Sequence, residues 1–351
     1  MKILIYGAYG YTGELIARLA KKQGLNPVLA GRNKQKTESL AQALGFDYLA
    51  FGLDDSKSLN EALQGVDLVL HCAGPFSQTA KPMMLACLAT KTHYLDITGE
   101  YEIFELAKSL DQQAKEAGIL LLPGVGFDVV PSDCLANQLH DKLPDATHLE
   151  LAFMGEASSS RGTSLTMIES IPKGGALRKD GMIHKVPLAN SQKTLNLDGK
   201  NKTFVSIPWG DISTAFHSTG IPNITVYTAM HPGQIKKLKF FQKWTWVMKF
   251  NFVQNYLKNK VRATVTGPSE KSRNKAKSYF WGQVTNDEGK QVTARLTTLE
   301  GYKLTSITAL MIVDTLSKED ITAGFQTPAS LLGSDYILKV ENTSLLASST
   351  S

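Results

Sequence analysis

The residues with the clearest chemical consequence lie near the amino terminus. Gly7-Ala8-Tyr9-Gly10-Tyr11-Thr12-Gly13 places glycine at every third position, directly after the apolar run Ile3–Tyr6 and at the head of a helical pattern. Glycine permits the positive φ of a tight strand-to-helix turn and lets the backbone approach an anion. The free N–H groups of the helix start then face that anion. The turn is therefore shaped for a pyrophosphate, with Gly7, Tyr9, Gly10, Tyr11, Thr12 and Gly13 as its lining. A dinucleotide site that takes NAD places an acid about 20 residues beyond the glycines. Ala30-Gly31-Arg32-Asn33 holds none. Arg32 instead offers a bidentate fork to a 2′-phosphate, with Lys34 and Lys36 adding charge, and NADP(H) is the cofactor expected. Asp54 is placed either to meet the adenine or to cap the helix that follows. His71-Cys72-Ala73-Gly74-Pro75 ends another apolar run, where the small Ala73, Gly74 and Pro75 leave room for ribose and pyrophosphate.

Chemistry at such a cofactor also needs a proton donor within hydrogen-bond reach of the substrate. Tyr101, Asp128, His217 and Tyr302 are the candidates. Asp128 reads first as the entry residue of a helix near Pro131, and His217 first as a structural histidine. Arg161, beside Gly162, is a candidate clamp for a substrate carboxylate or phosphate. No Ser/His/Asp order, carboxylate pair or metal-ligand spacing stands out, so neither a hydrolase nor a metalloenzyme is expected. Cys72, Cys87 and Cys134 fit neither a disulfide framework nor a zinc pattern and read as free thiols in a reducing compartment.

These residues need a scaffold, and residues 1–125 supply one pattern throughout. Short apolar runs at Ile3–Tyr6, Val28–Ala30, Tyr48–Leu53, Val66–Cys72, His93–Asp96 and Ile119–Leu122 alternate with helix-period runs at Thr12–Gln23, Lys34–Leu44, Ser56–Gln64, Ala80–Ala89 and Tyr101–Glu116. This alternation predicts an α/β fold, a Rossmann doubly wound parallel sheet covered on both faces. Beyond 125 the pattern changes. A helix runs from Pro131 to about His140, and Ser164–Ile171 looks helical. His148–Met154, Ile224–Ala229 and Arg262–Thr266 read as strands. Ser278–Thr285 and Gln291–Leu299 form a hairpin across Asn286-Asp287-Glu288-Gly289. A second α+β domain with a mixed or antiparallel sheet is expected, solvated on one face. Leu304–Leu316 is a strong late helix.

Several phrases read together: Gly7-x-x-Gly10-Tyr11-Thr12-Gly13, Leu29-Ala30-Gly31-Arg32, Cys72-Ala73-Gly74-Pro75-Phe76, Tyr94-Leu95-Asp96-Ile97-Thr98-Gly99-Glu100 and Gly126-Phe127-Asp128-Val129-Val130-Pro131-Ser132-Asp133. With Ser160-Arg161-Gly162-Thr163, Glu300-Gly301-Tyr302 and Gln326-Thr327-Pro328, the chain resembles the saccharopine dehydrogenase family. Within it, the likeness is to the shorter saccharopine dehydrogenase-like oxidoreductases and trans-acting enoyl reductases. The resemblance implies NADP(H)-dependent hydride transfer to or from a C=N or C=C bond. The substrate would be small and unidentified, an amino-acid-derived imine or an enoyl or acyl compound. The substrate-carboxylate arginines of the longer saccharopine-forming reductases have no located counterpart, which argues against saccharopine itself. The implied organisation is an NADP-binding domain over 1–125, a substrate and dimerisation domain over 126–300, a return of 301–343 to the first domain, and a flexible tail over 344–351. Two alternatives are a cofactor-binding protein without turnover and a lipid-surface protein whose Rossmann domain is structural.

Composition fits these expectations. Of 351 residues, 42% are hydrophobic, enough for a sizeable core, and Lys+Arg 38 against Asp+Glu 32 leaves +6, too diffuse to suggest nucleic acid. No run resembles a signal peptide or a spanning helix, so a cytoplasmic location, peripheral to a membrane at most, is expected. Residues 236–262 hold eight Lys or Arg and no Asp or Glu, interleaved with aromatics. On a helical wheel, Trp246/Phe250/Val253/Leu257 and Phe241/Trp244/Met248/Phe252 form two opposed stripes. One would pack on the protein itself; the other would meet a homodimer partner, an acyl substrate or an anionic membrane, unless both are buried between domains.

Overall fold

The computed structural model describes residues 1–197, 200–242 and 250–350. The chain divides into two compact units, Met1–Val130 with Gly301–Gly333 and Pro131–Glu300 with Ser334–Ser351.

The first unit runs β1 (Ile3–Tyr6), α1 (Tyr11–Lys22), β2 (Val28–Gly31), α2 (Lys34–Leu44), β3 (Tyr48–Ala50), α3 (Ser56–Leu63), β4 (Leu68–His71), α4 (Phe76–Thr90), β5 (His93–Asp96), α5 (Tyr101–Ser109), α6 (Asp111–Ala117) and β6 (Leu120–Leu122). Strands β4 and β6 are buried throughout, as expected where helices cover both faces of a parallel sheet. Helix ends follow local chemistry. Asn33 caps α2 by accepting from the Lys36 N–H at 3.0 Å, and Gly45 closes that helix in the left-handed region at φ 69°.

The second unit contains α7 (Val130–Lys142), β7 (His148–Gly155), α8 (Arg161–Ser170), β8 (Gly175–Lys179), β9 (Met182–Val186), β10 (Gln192–Leu197), β11 (Lys200–Ile207), α9 (Asp211–Thr219), β12 (Asn223–Ala229), α10 (Pro232–Gln242), α11 (Asn251–Thr264), α12 (Glu270–Lys275), β13 (Lys277–Thr285) and β14 (Gln291–Leu299). The chain then returns to the first unit as α13 (Gly301–Lys318), β15 (Gly324–Phe325) and α14 (Pro328–Leu332), and ends in the second as β16 (Ser344–Thr350).

The first sheet has seven strands in the order β15-β6-β5-β4-β1-β2-β3, every pair parallel. Strand β1 lies between β2 and β4, so the order reverses there and opens the crevice in which such sheets bind ligands. The second sheet is mixed. Its path is β10-β11-β12-β7-β13-β14-β16, with β12 and β7 parallel and the other neighbours antiparallel. Helix α7 presses on one face at Gly282, where a β-carbon would come 2.6 Å from Leu139 Cδ1. The other face carries Ala152, Phe204, Tyr227 and Trp281, buried together with Leu195 and Leu197 of β10. On that face Lys193 pairs with Glu150 and lies 4.5 Å from the Trp281 ring centroid.

The Rossmann sheet and the mixed second sheet match the sequence expectation, but the second sheet is not solvated on one face, because α7 packs on one side and a buried cluster lies on the other, and several details differ. The β13–β14 hairpin forms in the expected register, Thr285 opposite Gln291. Tyr101–Glu116 is two helices that meet at Leu110, not one. Arg262–Thr266, read as a strand from its β-branched residues, is the end of α11 and the segment just after it; packing on α8 overrides propensity there. Ser344–Thr350 is not a free tail: it pairs antiparallel with β14 and occupies the edge of the second sheet. Strands β8–β11 were not read from the sequence; β9 and β10 among them are largely polar and exposed and carry little apolar signal. Of the two aromatic stripes, Trp244, Trp246 and Met248 lie outside the described residues. Phe250 and Phe252 are exposed, whereas Val253 and Leu257 are half-buried. Among the described residues, no helix is long and apolar enough to cross a membrane, and no group of three His, Cys, Asp or Glu is placed to hold a metal ion.

Candidate dinucleotide site

The site is assembled at the carboxyl ends of β1, β2, β4, β5 and β6. After β1 the chain turns at Gly7, whose φ of 82° suits glycine and few other residues. The Gly7 and Ala8 N–H groups donate to Ala30 O at 2.8 and 3.2 Å and tie the turn to the end of β2. The Gly10 N–H donates to Gly7 O at 2.9 Å, and the Glu14 N–H to Gly10 O at 2.8 Å, which starts α1. No side chain could replace these hydrogens without displacement. A β-carbon at Gly7 would sit 2.8 Å from the Ala73 backbone nitrogen, and one at Gly13 2.3 Å from Gly7 O. The turn from β1 and the turn from β4 thus touch where the strand order reverses. Gly10 sits at the N-cap of α1 and no side chain fills it, the arrangement that a helix-start anion site requires.

Arg32 is exposed immediately after β2. It is close enough to Tyr6 to oppose the rise of that phenol, which burial and then Tyr9 push up to about 12. The Tyr9 ring lies over Gly31, where a β-carbon would be 2.5 Å from Tyr9 Cε1. Asp54 is exposed and does not cap α3; Asp55 does, accepting from the Lys57 N–H at 3.1 Å. The competing expectation for Asp54 as the helix cap is therefore corrected by one position.

At the end of β4, Ala73 O accepts from Thr79 Oγ1 at 2.6 Å, and the Gly74–Pro75 peptide is cis. Pro75 is the N-cap of α4 but has no side-chain acceptor. Glu100, from the β5–α5 loop, supplies one: Oε1 accepts from the Phe76 N–H and Oε2 from the Ser77 N–H, each at 2.9 Å. Asp96, wholly buried at the end of β5, fastens neighbouring loops. Its Oδ1 accepts from the Thr98 and Gly124 amides at 2.9 and 2.8 Å, and its Oδ2 from Tyr94 at 2.6 Å. Burial pushes the Asp96 carboxyl up to about 6, although these three donors pull it down. Neither role was found from sequence, because the partners are 24 and 28 residues away in the chain.

The four proton-donor candidates are divided. Tyr302, at the head of α13, packs edge-on against Tyr11 of the glycine turn, with ring centroids 4.9 Å apart. Asp128 follows Phe127, whose N–H donates to Thr305 Oγ1 of α13 at 3.0 Å. Burial, and then the Glu100 carboxylate, push Asp128 up to about 7. Helix α7 begins two residues later, at Val130. Tyr101, half-buried at the head of α5, is held at about 12 by burial and the nearby Glu102 and Glu105. Thus the first unit holds Tyr302, Asp128 and Tyr101. His217 belongs to the second unit, on α9, with its ring 5.4 Å from that of Phe216. Arg161 belongs there too, exposed at the first turn of α8 and donating from Nε to Val265 O at 3.1 Å. Cys87 and Cys134 are buried free thiols and Cys72 is partly buried; burial pushes all three up, so they are poor nucleophiles.

Sheet order, glycine cradle and strand-end loops define the first unit as a dinucleotide-binding Rossmann domain. Residues 3–122 match the family described as the saccharopine dehydrogenase NADP binding domain. Among curated proteins, it is 30% identical over 151 residues to a saccharopine dehydrogenase-like oxidoreductase of Mus musculus, covering 37% of this chain and 35% of that one. A trans-acting enoyl reductase of Mycobacterium leprae is 34% identical over 151 residues, 40% of this chain and 36% of that one. A lipid droplet localized protein of Caenorhabditis elegans is 27% identical over 209 residues, 52% and 49%. The matches span about half or less of these relatives' own length. Apo saccharopine dehydrogenase (L-Glu forming) of Saccharomyces cerevisiae has the same fold, with a TM-score of 0.64 over 100% of this chain and 99% of that one at 13% identity.

Proposed function

We propose that the protein is an NADP(H)-dependent oxidoreductase that transfers hydride to or from a C=N or C=C bond of a small substrate. The observation that carries the reading is the glycine turn at the strand-order reversal, packed so closely that β-carbons at Gly7 and Gly13 would meet Ala73 N and Gly7 O, with Gly10 as an N-cap that no side chain fills. The domain family and the names of the relatives support the same class.

In this reading the glycine turn and the α1 amides bind the pyrophosphate, Arg32 the 2′-phosphate, and Ala73, Gly74 and Pro75 give the ribose room. Asp54 lies on the adenine side. The cofactor supplies or accepts the hydride. Asp128 is the group we assign to the proton: an acid near 7 is half-protonated at neutral pH, the condition under which general-acid transfer is most effective. Tyr302 shields the turn through its contact with Tyr11.

Fluorescence titration of the whole protein with NADPH and NADH tests the cofactor assignment. NADPH is expected to bind more tightly, and Arg32→Ala to weaken NADPH by roughly tenfold or more while leaving NADH nearly unchanged. Equal affinity for the two coenzymes, unchanged by the substitution, would exclude it. A screen of imines, amino acids and enoyl thioesters then tests turnover.

A further inference from the structure

We propose that the outward face of α11 is a docking surface for an anionic lipid bilayer. The argument is independent of the cofactor site and rests on how this helix is held. One side is fixed to α8: Lys258 Nζ pairs with Glu169 Oε1 at 2.6 Å, and Gln254 Nε2 donates to Ile168 O at 3.3 Å. The opposite side is left to solvent. Phe252 is 72% exposed and Tyr256 69%, four residues apart and so on one helical face. Phe250, just before the helix, stacks its ring on Phe252 with centroids 5.9 Å apart. A scattered exposed apolar residue needs no explanation, but three aromatics in seven positions on one face form a patch.

The charge around the patch selects the partner. Lys260 and Arg262 are exposed on the same helix, and α11 contains no Asp or Glu. Protein interface cores are depleted in lysine, and a second copy of this chain would have to bring acids to the patch. Helices that lie in a membrane surface combine aromatic residues on one face with Lys and Arg beside them. A helix of 14 residues extends only about 21 Å, too short to span a bilayer, so it would rest in the headgroup plane. Phe250 and Phe252 would enter the acyl boundary. The Tyr256 hydroxyl would remain at headgroup level, where Lys260 and Arg262 meet lipid phosphates and carboxylates.

Co-sedimentation of the full chain with phosphatidylserine-containing and pure phosphatidylcholine vesicles tests this. Binding is expected to the first, weakly to the second, and to fall at high salt. Phe252→Ser with Tyr256→Ser should weaken binding by at least about tenfold, and Lys260→Glu with Arg262→Glu by a similar factor. These side chains are exposed, so the melting temperature and NADPH titration of each variant should match the parent and exclude misfolding as the cause. Absence of binding to the anionic vesicles, or binding that survives both pairs of substitutions, would overturn the proposal. Loss of self-association in the aromatic variant, without lipid binding by the parent, would assign the face to a second copy and overturn it equally.

Discussion

At the scale of single residues, the first unit spends stability on groups that do not touch the proposed cofactor. His71 ends β4, wholly buried among the rings of Tyr6, Phe76 and Tyr94, and neither ring nitrogen has a hydrogen-bond partner. Burial lowers its pKa from 6.5 to about 3. The unfolded chain therefore takes a proton that the fold refuses, and stability falls as pH drops from about 6.5 towards 3. Asp96 works in the opposite direction: its carboxyl, raised to about 6, lets the folded chain take a proton first, so acidification from about 6 to 4 adds stability. Asp128, raised to about 7, acts in the same direction as Asp96. The His71 contribution alone is a loss of a few kcal/mol between pH 6.5 and 3, read as the difference between the parent and His71→Phe, which keeps an aromatic ring in the cage. Urea midpoints measured across that range for both proteins decide the matter. Parallel curves would show that His71 is not the titrating group.

At the scale of elements, the clearest dependence is that of α4 on a loop far along the chain. Its N-cap is Pro75, so the first turn has no local acceptor and relies on Glu100 for the Phe76 and Ser77 amides. A charged acceptor at a helix start also meets the positive end of the macrodipole. Glu100→Ala should cost about 1–2 kcal/mol, and Glu100→Gln, which keeps one carbonyl oxygen, less than that. Unaltered denaturation midpoints in both variants would show that the cap contributes nothing. The same comparison shows what sequence could and could not reveal. The Gly7–Gly13 turn, the helix over Lys34–Leu44 and the β13–β14 hairpin were legible because their chemistry is local. Glu100 over α4, Asp96 between loops, and Tyr302 on Tyr11 join residues 24 to 291 positions apart, and no periodicity encodes such pairs. The Arg262–Thr266 misreading has the same origin: α11 packs on α8 and runs to Thr264, and the backbone turns extended only at Val265.

At the scale of the molecule, the first unit is not a continuous stretch of chain. It needs Gly301–Gly333 as well as Met1–Val130. The returning segment contributes two kinds of support. Helix α13 buries Leu304, Leu310, Ile312, Val313 and Leu316 and packs along α1, the helix whose start forms the proposed anion site. Its Thr308 hydroxyl donates to Val125 O at 2.9 Å, inside the first unit. Strand β15 pairs in parallel with β6 and covers that edge of the sheet. A fragment ending at Val130 would expose the α1 face and the β6 edge together, a loss of several kcal/mol by area alone, comparable with the whole stability of a domain. It should therefore unfold without a cooperative transition and fail to bind NADPH, although it contains every cofactor residue read from the sequence. Joining Gly301–Gly333 to Val130 through a flexible linker should restore both properties. A cooperative, NADPH-binding fragment of residues 1–130 alone would show that the glycine cradle is stable without the α13 packing.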